Sequence, residues 1–561
     1  MGKFNLLDEP WISVVYDERG ATKEVSLLDL FQNAHNYKDL AGDTKTQDFA
    51  VLRLLLAVLH TVFSRFDANG QVYEYLEVDE RFRQLEAVDE ADLIDYEDDL
   101  YDTWVNLWNR GQFPEIVSHY LENWRDRFYL FDEDYPFFQV RKEDIQEVVD
   151  LSKDTSKVFG KNINRTVSES NNTYSIFSPR DTQKKDELSS SEIARWLLTY
   201  QGYSETGGRM KAIGQKPYSR GWLYNLGGIF LKGSNIFETL LMNLTLFYFE
   251  GNNHRYIQHP CWESDSAIII ENYILGRSVD NLAELYTSWS KAIYIDPEVN
   301  RHKFDCRIAK IPDISKIDMF LEPMTLWQDE KGQYIPQLHR INESLWRSFG
   351  LLVQEESDSK KCLFHIPGII DWQRKIKNNI ENTAIDICAV GIKSDGTANN
   401  TLKYEIFDTL SINKFVLTDL QEKGWVSRIN DVVEETKKVI SRTYRGFIDD
   451  IRKIRNIRSD DFTNQKVEEC YFKIDQPFRQ WLSSIQYEDE KDQKVFEWRQ
   501  ILKKLVLREV TMLLQEDNPV DYIGRVIDVA DKKSKVGKYK NIAIVYDEFT
   551  YWLNQNLKVG K

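Results

Sequence analysis

Cysteine is scarce in this sequence. Cys261, Cys306, Cys362, Cys388 and Cys470 are spread over 561 residues, and no two form a CxxC pair. A zinc ribbon and a dithiol redox motif are therefore excluded, and buried thiols are expected. The eight histidines are scattered. GxxxxGK[ST], GxSxG, HExxH and GxGxxG are all missing, which removes the phosphate loop, the nucleophile elbow, the zincin helix and the dinucleotide fingerprint. Long apolar runs are missing too. The most apolar stretch, FAVLRLLLAVLHTVF at 49–63, carries Arg53 and His60. It falls short of the roughly 20 residues a bilayer needs, so it reads as a buried helix. The first residues, MGKFNLLDEPW, lack the apolar stretch of a secretory signal, and Leu6 stands where a myristoylation site wants Ser or Thr. The expectation is a soluble, cytoplasmic protein with no membrane contact.

Apolar and aromatic residues are plentiful, at 42% and 13%. The chain is globular and long enough for two to four domains. Its formal charge of −17 is unevenly spread. Residues 74–102 hold 13 acids and two arginines, whereas 153–232 hold 13 Lys/Arg and seven acids. Local patches, not the total, attract nucleic acid. A low pI argues against a general DNA coat but not against a focused contact.

Along the chain, WISVVY (11–16), DERG and EVSLL read as a hairpin feeding a helix capped by Ser26. The acidic stretch 74–102 is expected to be a solvated helical face. RFYLFDEDYPFFQV (127–140) reads as strand and turn. Residues 152–188 are polar, almost without apolar periodicity, and read as a structureless functional loop. Ser189 and Glu192 form a capping box before a helix with Ile193, Trp196, Leu197 and Tyr200 on one face. NIFETLLMNLTLFYF (235–249) reads as a helix capped by Asn235. KAIYI, FLEPMTLW and AIDICAVGI read as short strands, and DWQRKIKNNIENT as a helix. Beyond about 412, four long amphipathic segments predict a helical bundle. The fold class is α+β: a large mixed domain over 1–411 and a four-helix bundle over 412–561.

One stretch stands out. QGYSETGGRMKAIGQKPYSRGWLYNLGG (201–228) holds seven glycines and four cations, with Glu205 as its single acid. Glycines lack Cβ and let backbone approach a ligand closely. Gly207 and Gly208 equally fit the cap of the helix ending near Tyr203. Two metal readings stand beside this one. His254, His259 and Cys261 lie close in sequence without a standard zinc spacing, and DYEDDLYD (95–102) holds paired carboxylates, including Asp98 and Asp99, in the manner of a two-metal nuclease. Packing and a solvated face are the plainer accounts of both. No assembled catalytic constellation is evident and no cofactor is implied.

An ordered set of motifs resembles one family over nearly the whole chain. The set is FNLLDEPWISV, YPFFQV, NTYSIF before ARWLLTYQGY, then TGGR, NIFETLLMNL, LEPMTLW and the C-terminal helices. It is similar to CasA, the large subunit of the type I-E CRISPR Cascade surveillance complex. The resemblance implies a non-catalytic subunit of a ribonucleoprotein. Such a subunit reads the protospacer-adjacent motif (PAM) of double-stranded DNA and helps open the duplex for R-loop formation. It contacts CRISPR RNA-containing subunits and helps recruit a helicase-nuclease. The implied groove-reading glycine loop is Thr206, Gly207, Gly208 and Arg209. The implied long loop at the guide-RNA end comprises Asn172, Thr173, Tyr174 and Phe177; Phe177 equally fits a staple onto the core. The implied minor-groove lysine is Lys310, with Lys316 as a substitute; Lys310 equally fits a solvated surface. The implied wedge hairpin falls on 391–405, with Asp395, Asn399 and Asn400 where the family carries a glutamine. Two other readings remain open: a metal-dependent nuclease, and a scaffold that never touches DNA.

Overall fold

The computed structural model describes residues 2–153, 157–167, 178–207, 210–247, 257–299, 301–314, 321–330, 333–353, 366–376, 384–394, 402–421, 423–516, 518–527 and 537–557. The chain forms two compact units. The first comprises 1–339, 357–379 and 387–408; the second comprises 340–356, 380–386 and 409–561.

The anticipated hairpin lies near the start of the first unit, after a short strand Lys3–Asn5 that pairs with Tyr129–Phe131. Strands β1 (Ile12–Val15) and β2 (Thr22–Val25) pair antiparallel, Ile12 opposite Val25, and β3 (Asp39–Leu40) adds on the other edge of β1. Ser26 caps the helix Leu27–Asn33 by accepting from the Asp29 N–H. Helix α1 (Lys45–Phe63) starts at the Thr44 cap and is buried almost throughout. By length and composition it could span a bilayer, yet all of its apolar window lies inside the protein. That interior contains Arg53, which no apolar environment tolerates alone. Both its Nη atoms donate to the buried Glu322 carboxylate at 2.9 Å. Near the end of α1, Arg65 meets Glu263 likewise, at 2.8 and 3.0 Å, and the Tyr120 hydroxyl donates to the same carboxylate.

The acidic stretch is only partly helical. Helix α2 (Leu93–Arg110) buries Leu93, Tyr96, Leu100, Trp104 and Leu107 at three-to-four spacing and leaves its acids outward. Residues 76–92 are irregular instead. One Asp79 carboxylate oxygen accepts from the N–H groups of Arg81 and Arg83, and Phe82 takes φ +65°, so the local bonds favour a turn over a helix. The polar 152–188 region is also more ordered than expected. Strand β4 (Lys157–Phe159) leads into a single helical turn, Gly160–Ile163. Long-range pairing supplies what local pattern lacks there.

Helix α3 (Ser190–Tyr203) has the predicted capping box at Ser189 and Glu192. It is buried on nearly every side rather than on one face. Strand β5 (Gly228–Lys232) precedes helix α4 (Ile236–Asn243), which Asn235 caps. α4 ends six residues before the predicted 249. Asn243 turns its amide onto β5, accepting from Leu231 N–H at 2.9 Å and donating to Leu231 O at 2.6 Å. Strands β6 (Lys291–Tyr294) and β7 (Asp305–Lys310) pair antiparallel, giving the sheet β4–β7–β6. Two long strands, β8 (Ala384–Ser394) and β9 (Leu402–Asn413), form a sheet with β5 in the order β9–β8–β5.

The second unit is mainly helical. Its four long helical segments lie where the periodicity places them. α5 (Trp425–Lys438) runs through a π turn, Val439–Tyr444, into α6 (Arg445–Ile454). α7 (Asp461–Ser483), α8 (Lys491–Leu514) and α9 (Ile542–Leu557) follow. Phe478 of α7 meets Trp498 of α8 edge-on at 4.9 Å, and Trp498 donates to Thr436 of α5. Residues 340–356 also belong to this unit, earlier in sequence than a single cut at 411 places it. Trp346 accounts for that: it stacks on Phe478 at 4.3 Å and donates to Asp475.

Candidate nucleic-acid interface

The glycine-rich stretch begins where α3 ends. The helix cap is Ser204, in extended conformation at φ −71°, ψ 151°. Gly207 therefore lies beyond the cap and does another job. It takes φ +84°, and its carbonyl accepts from Met210 N–H at 2.9 Å. An L side chain there would be strained, and its Cβ would sit 2.6 Å from the Met210 sulfur. Gly208 and Arg209 lie outside the described residues.

Residues 211–219 then form a strap along the end of β7. Ala212 bridges Lys310 in parallel, and Tyr218 bridges Pro312 antiparallel. Lys310 N–H donates to Lys211 O, Ile213 N–H to Lys310 O, Ser219 N–H to Ile311 O and Asp313 N–H to Pro217 O, all at 2.8–2.9 Å. Two segments about a hundred residues apart are thus one surface. Lys211, Lys216 and Arg220 are exposed on it. Arg220 Nε donates to Thr206 Oγ1 at 3.2 Å, tying the strap's two ends together. Gly221 N–H donates to Ser204 O at 2.7 Å, and a Cβ on Gly221 would fall 2.2 Å from the Gly202 carbonyl oxygen. No residue but glycine fits that approach.

The strap is held from beneath at two points near its C-terminal end. At one, Trp222 Nε1 donates to Glu322 at 2.6 Å, joining it to the buried pair with Arg53 on α1. That assembly unites the apolar helix, the glycine stretch and the LEPMTLW motif. At the other, the fully buried Lys291 of β6 donates its amine to Ser219 O at 2.8 Å and to Ser290 O at 3.0 Å. Burial pushes this amine down to about 7; the nearby Asp313 carboxylate partly opposes the shift and Lys310 adds to it.

Of the sequence-predicted site residues, Thr206, Gly207 and Lys310 are placed, and all three belong to this assembly. Lys310 is not on an open surface: it is 9% exposed, with Nζ 4.8 Å from the Tyr218 ring centroid. Lys316, the wedge residues Asp395, Asn399 and Asn400, and the long-loop residues Asn172, Thr173, Tyr174 and Phe177 lie outside the described residues. Lys291, Tyr218, Arg220 and Trp222 were not singled out by sequence. A lysine heading the apolar run KAIYI looks like a solvated strand end, and only the fold turns it inward.

His254 lies outside the described residues, and the metal readings gain no geometry from the others. Among the described residues, no group of three or more His, Cys, Asp or Glu side chains is gathered to hold an ion. The His259 ring meets Ser264 at 2.8 Å, and the Cys261 thiol is pushed up to about 12 by burial. Asp99 is raised by partial burial and by the neighbouring carboxylates of Glu74, Asp102, Asp95 and Asp98.

Known proteins share this fold. The family described as CRISPR-associated protein Cse1 matches residues 5–508. A curated relative, CRISPR-associated protein CasA/Cse1 of Thermus thermophilus, is 27% identical over 63% of this chain. That match spans about three fifths (61%) of the relative's length. Among solved structures, Thermobifida fusca Cse1 superposes with a TM-score of 0.76 at 24% identity, covering 100% of this chain and 99% of that one. A chain of a CRISPR RNA-guided surveillance complex superposes at 0.70 with 16% identity, covering 99% of this chain and 100% of that one. With a family match over nearly its whole length and the same fold, this chain belongs to the CRISPR-associated Cse1 family.

Proposed function

We propose that this protein is the non-catalytic large subunit of a cytoplasmic CRISPR RNA-guided surveillance complex, and that its first unit reads the PAM of double-stranded DNA. The observation that carries the reading is the strap itself. Backbone turned by Gly207 and flanked by exposed Lys211, Lys216 and Arg220 runs beside the Lys310 segment on a rigid sheet. The minor groove offers a degenerate pattern, largely A·T against G·C, so backbone and a few cations suffice for tolerant recognition of a short motif. Sequence matching is then left to guide-RNA pairing. Lys310 or Lys316 supplies the groove lysine in this proposal. The β8–β9 connection, with Asp395, Asn399 and Asn400, acts as the wedge; unstacking costs a few kcal/mol per base step, offset by contacts to the opened duplex. The long loop with Asn172, Thr173, Tyr174 and Phe177 anchors the chain near the guide RNA. The second unit contacts neighbouring subunits, and the assembled surface helps recruit the helicase-nuclease. An acidic body with few basic spots also limits non-specific DNA binding.

The test uses the assembled complex. Gly207→Asp and Gly208→Asp are expected to abolish binding of PAM-bearing duplex while leaving a single-stranded target bound. A Cβ obstructs the backbone's approach and the new charge faces phosphate. Equal losses on both targets would mean failed assembly and would end the groove-reading assignment. Metal-dependent DNA cleavage by the purified chain that disappears in Asp98/Asp99 variants would end the non-catalytic one.

A further inference from the structure

We propose that Lys291 is a buried latch for the 211–219 strap: its amine holds the Ser219 carbonyl to the start of β6, and so positions the backbone that reads the groove. The second half of this statement rests on the groove-reading assignment above; the first half stands on geometry alone.

The latch has a fixed base. Gln201 on α3 accepts from Ser290 N–H at 2.9 Å and Lys291 N–H at 3.1 Å, and donates to Lys291 O at 3.0 Å. The hydroxyls of Ser204 and Ser290 meet at 2.7 Å. The Lys291 backbone thus cannot shift without disturbing the end of α3. From this base, Nζ reaches Ser219 O, on a residue only 1% exposed whose N–H already donates to Ile311 O just after β7. Ser219 is therefore gripped from two sides, by Lys291 of β6 and by Ile311 just after β7.

The acceptors are what make the lysine unusual. Both are backbone carbonyls, and a neutral amine carries two N–H groups, one for each. The charged groups facing it are Asp313 beyond β7, Lys310 on β7, Glu205 beyond α3 and Arg220 at the strap's end. Two are positive and two negative, and their opposing pulls leave burial as the dominant influence on the amine. Stability alone does not account for a lysine here, because a buried charge without a close partner costs free energy. Position does account for it.

The latch has a pH signature. In the closed strap the amine titrates near 7; once exposed it returns toward the ordinary 10.5. The open form binds the proton more tightly, so closure is strongest above the ordinary lysine value, weakens as pH falls toward about 7, and changes no further below that.

Hydrogen exchange on the full chain tests this, with intrinsic rates corrected at each pH. In the wild type, protection of 211–219 is expected to rise by up to about tenfold per unit between about pH 7 and pH 9. In Lys291→Met that rise is expected to vanish and the strap to exchange up to about a hundredfold faster near pH 9, with the rest of the chain unchanged. In the assembled complex, Lys291→Met is expected to weaken binding of a guide-matched duplex with a randomised flank, and to spare the single-stranded target. Unchanged strap protection overturns the latch, as does protection lost throughout the chain. A loosened strap with full duplex binding, where Gly207→Asp abolishes that binding, overturns the positioning role alone. Full duplex binding in both variants overturns the groove reading itself. If Lys291→Met does not fold, a flat wild-type pH profile of the strap overturns the latch.

Discussion

Two buried cations hold neighbouring points near the C-terminal end of one segment, and they are held in contrasting ways. Arg53 has a matched anion: Glu322 takes both ends of its guanidinium fork and also accepts from Trp222 and from Met324 N–H. The Tyr286 ring lies 4.1 Å from the guanidinium carbon. Lys291 instead donates to two backbone carbonyls. The first arrangement is a closed electrostatic unit whose removal from either side leaves a bare buried charge. The second tolerates losing its charge, since two N–H groups satisfy two carbonyls. A buried cation is therefore not one kind of feature: one stabilises a fold by completing an ion pair, the other fixes where a loop lies.

The comparison breaks hardest at the pair. Glu322→Gln leaves Arg53 buried without its counter-charge and is expected to cost about 3–5 kcal/mol, seen as a large fall in the denaturation midpoint of the first unit. Survival with a small loss would mean that Arg53 finds another partner, and the contrast would collapse. A smaller effect is expected for Trp222→Phe, which removes one donor from the carboxylate while keeping the aromatic ring. About 1–3 kcal/mol should be lost by chemical denaturation, without any new pH dependence. The smallest effect at neutral pH, and the sharpest, belongs to Lys291→Met. Because the folded amine titrates below its unfolded value, wild-type stability should rise between about 7 and 10.5 from this group. The methionine variant should lack that rise and lie close to wild type near pH 7. A variant much less stable than wild type at every pH would make Lys291 a structural prop like Arg53.

Much of this fold is legible because it is local. The WISVVY–DERG hairpin, the Ser189–Glu192 capping box and the four long C-terminal helices depend on residues a few positions apart, where spacing alone states the bonds. What is not legible is set by distant partners. The run at 76–92 looks helical by composition, but Asp79 captures its neighbours' N–H groups first. Strand β4 has no pattern of its own and exists because β7 pairs with it. α4 stops at Asn243 because an amide finds β5. The candidate site divides in the same way. Gly207 announces itself as part of a glycine cluster, whereas Lys291 and Trp222 acquire meaning only when β6, β7 and the LEPMTLW segment converge on the strap.

The bond from Gly221 N–H to Ser204 O has a consequence of an evolutionary kind. It shuts the segment 205–220 at its root, so what lies between the two residues is a cassette mounted on a closed socket and pinned further along by its bonds to 310–313 and to Lys291. Lengthening a flexible cassette is cheap, about 0.6 kcal/mol for each doubling of loop length. Sequence drift between the mounts can therefore retune what the protein recognises while the socket, with its crowded Gly221 and Gly202 contact, resists change. Loop transplants between relatives should be made at these two residues.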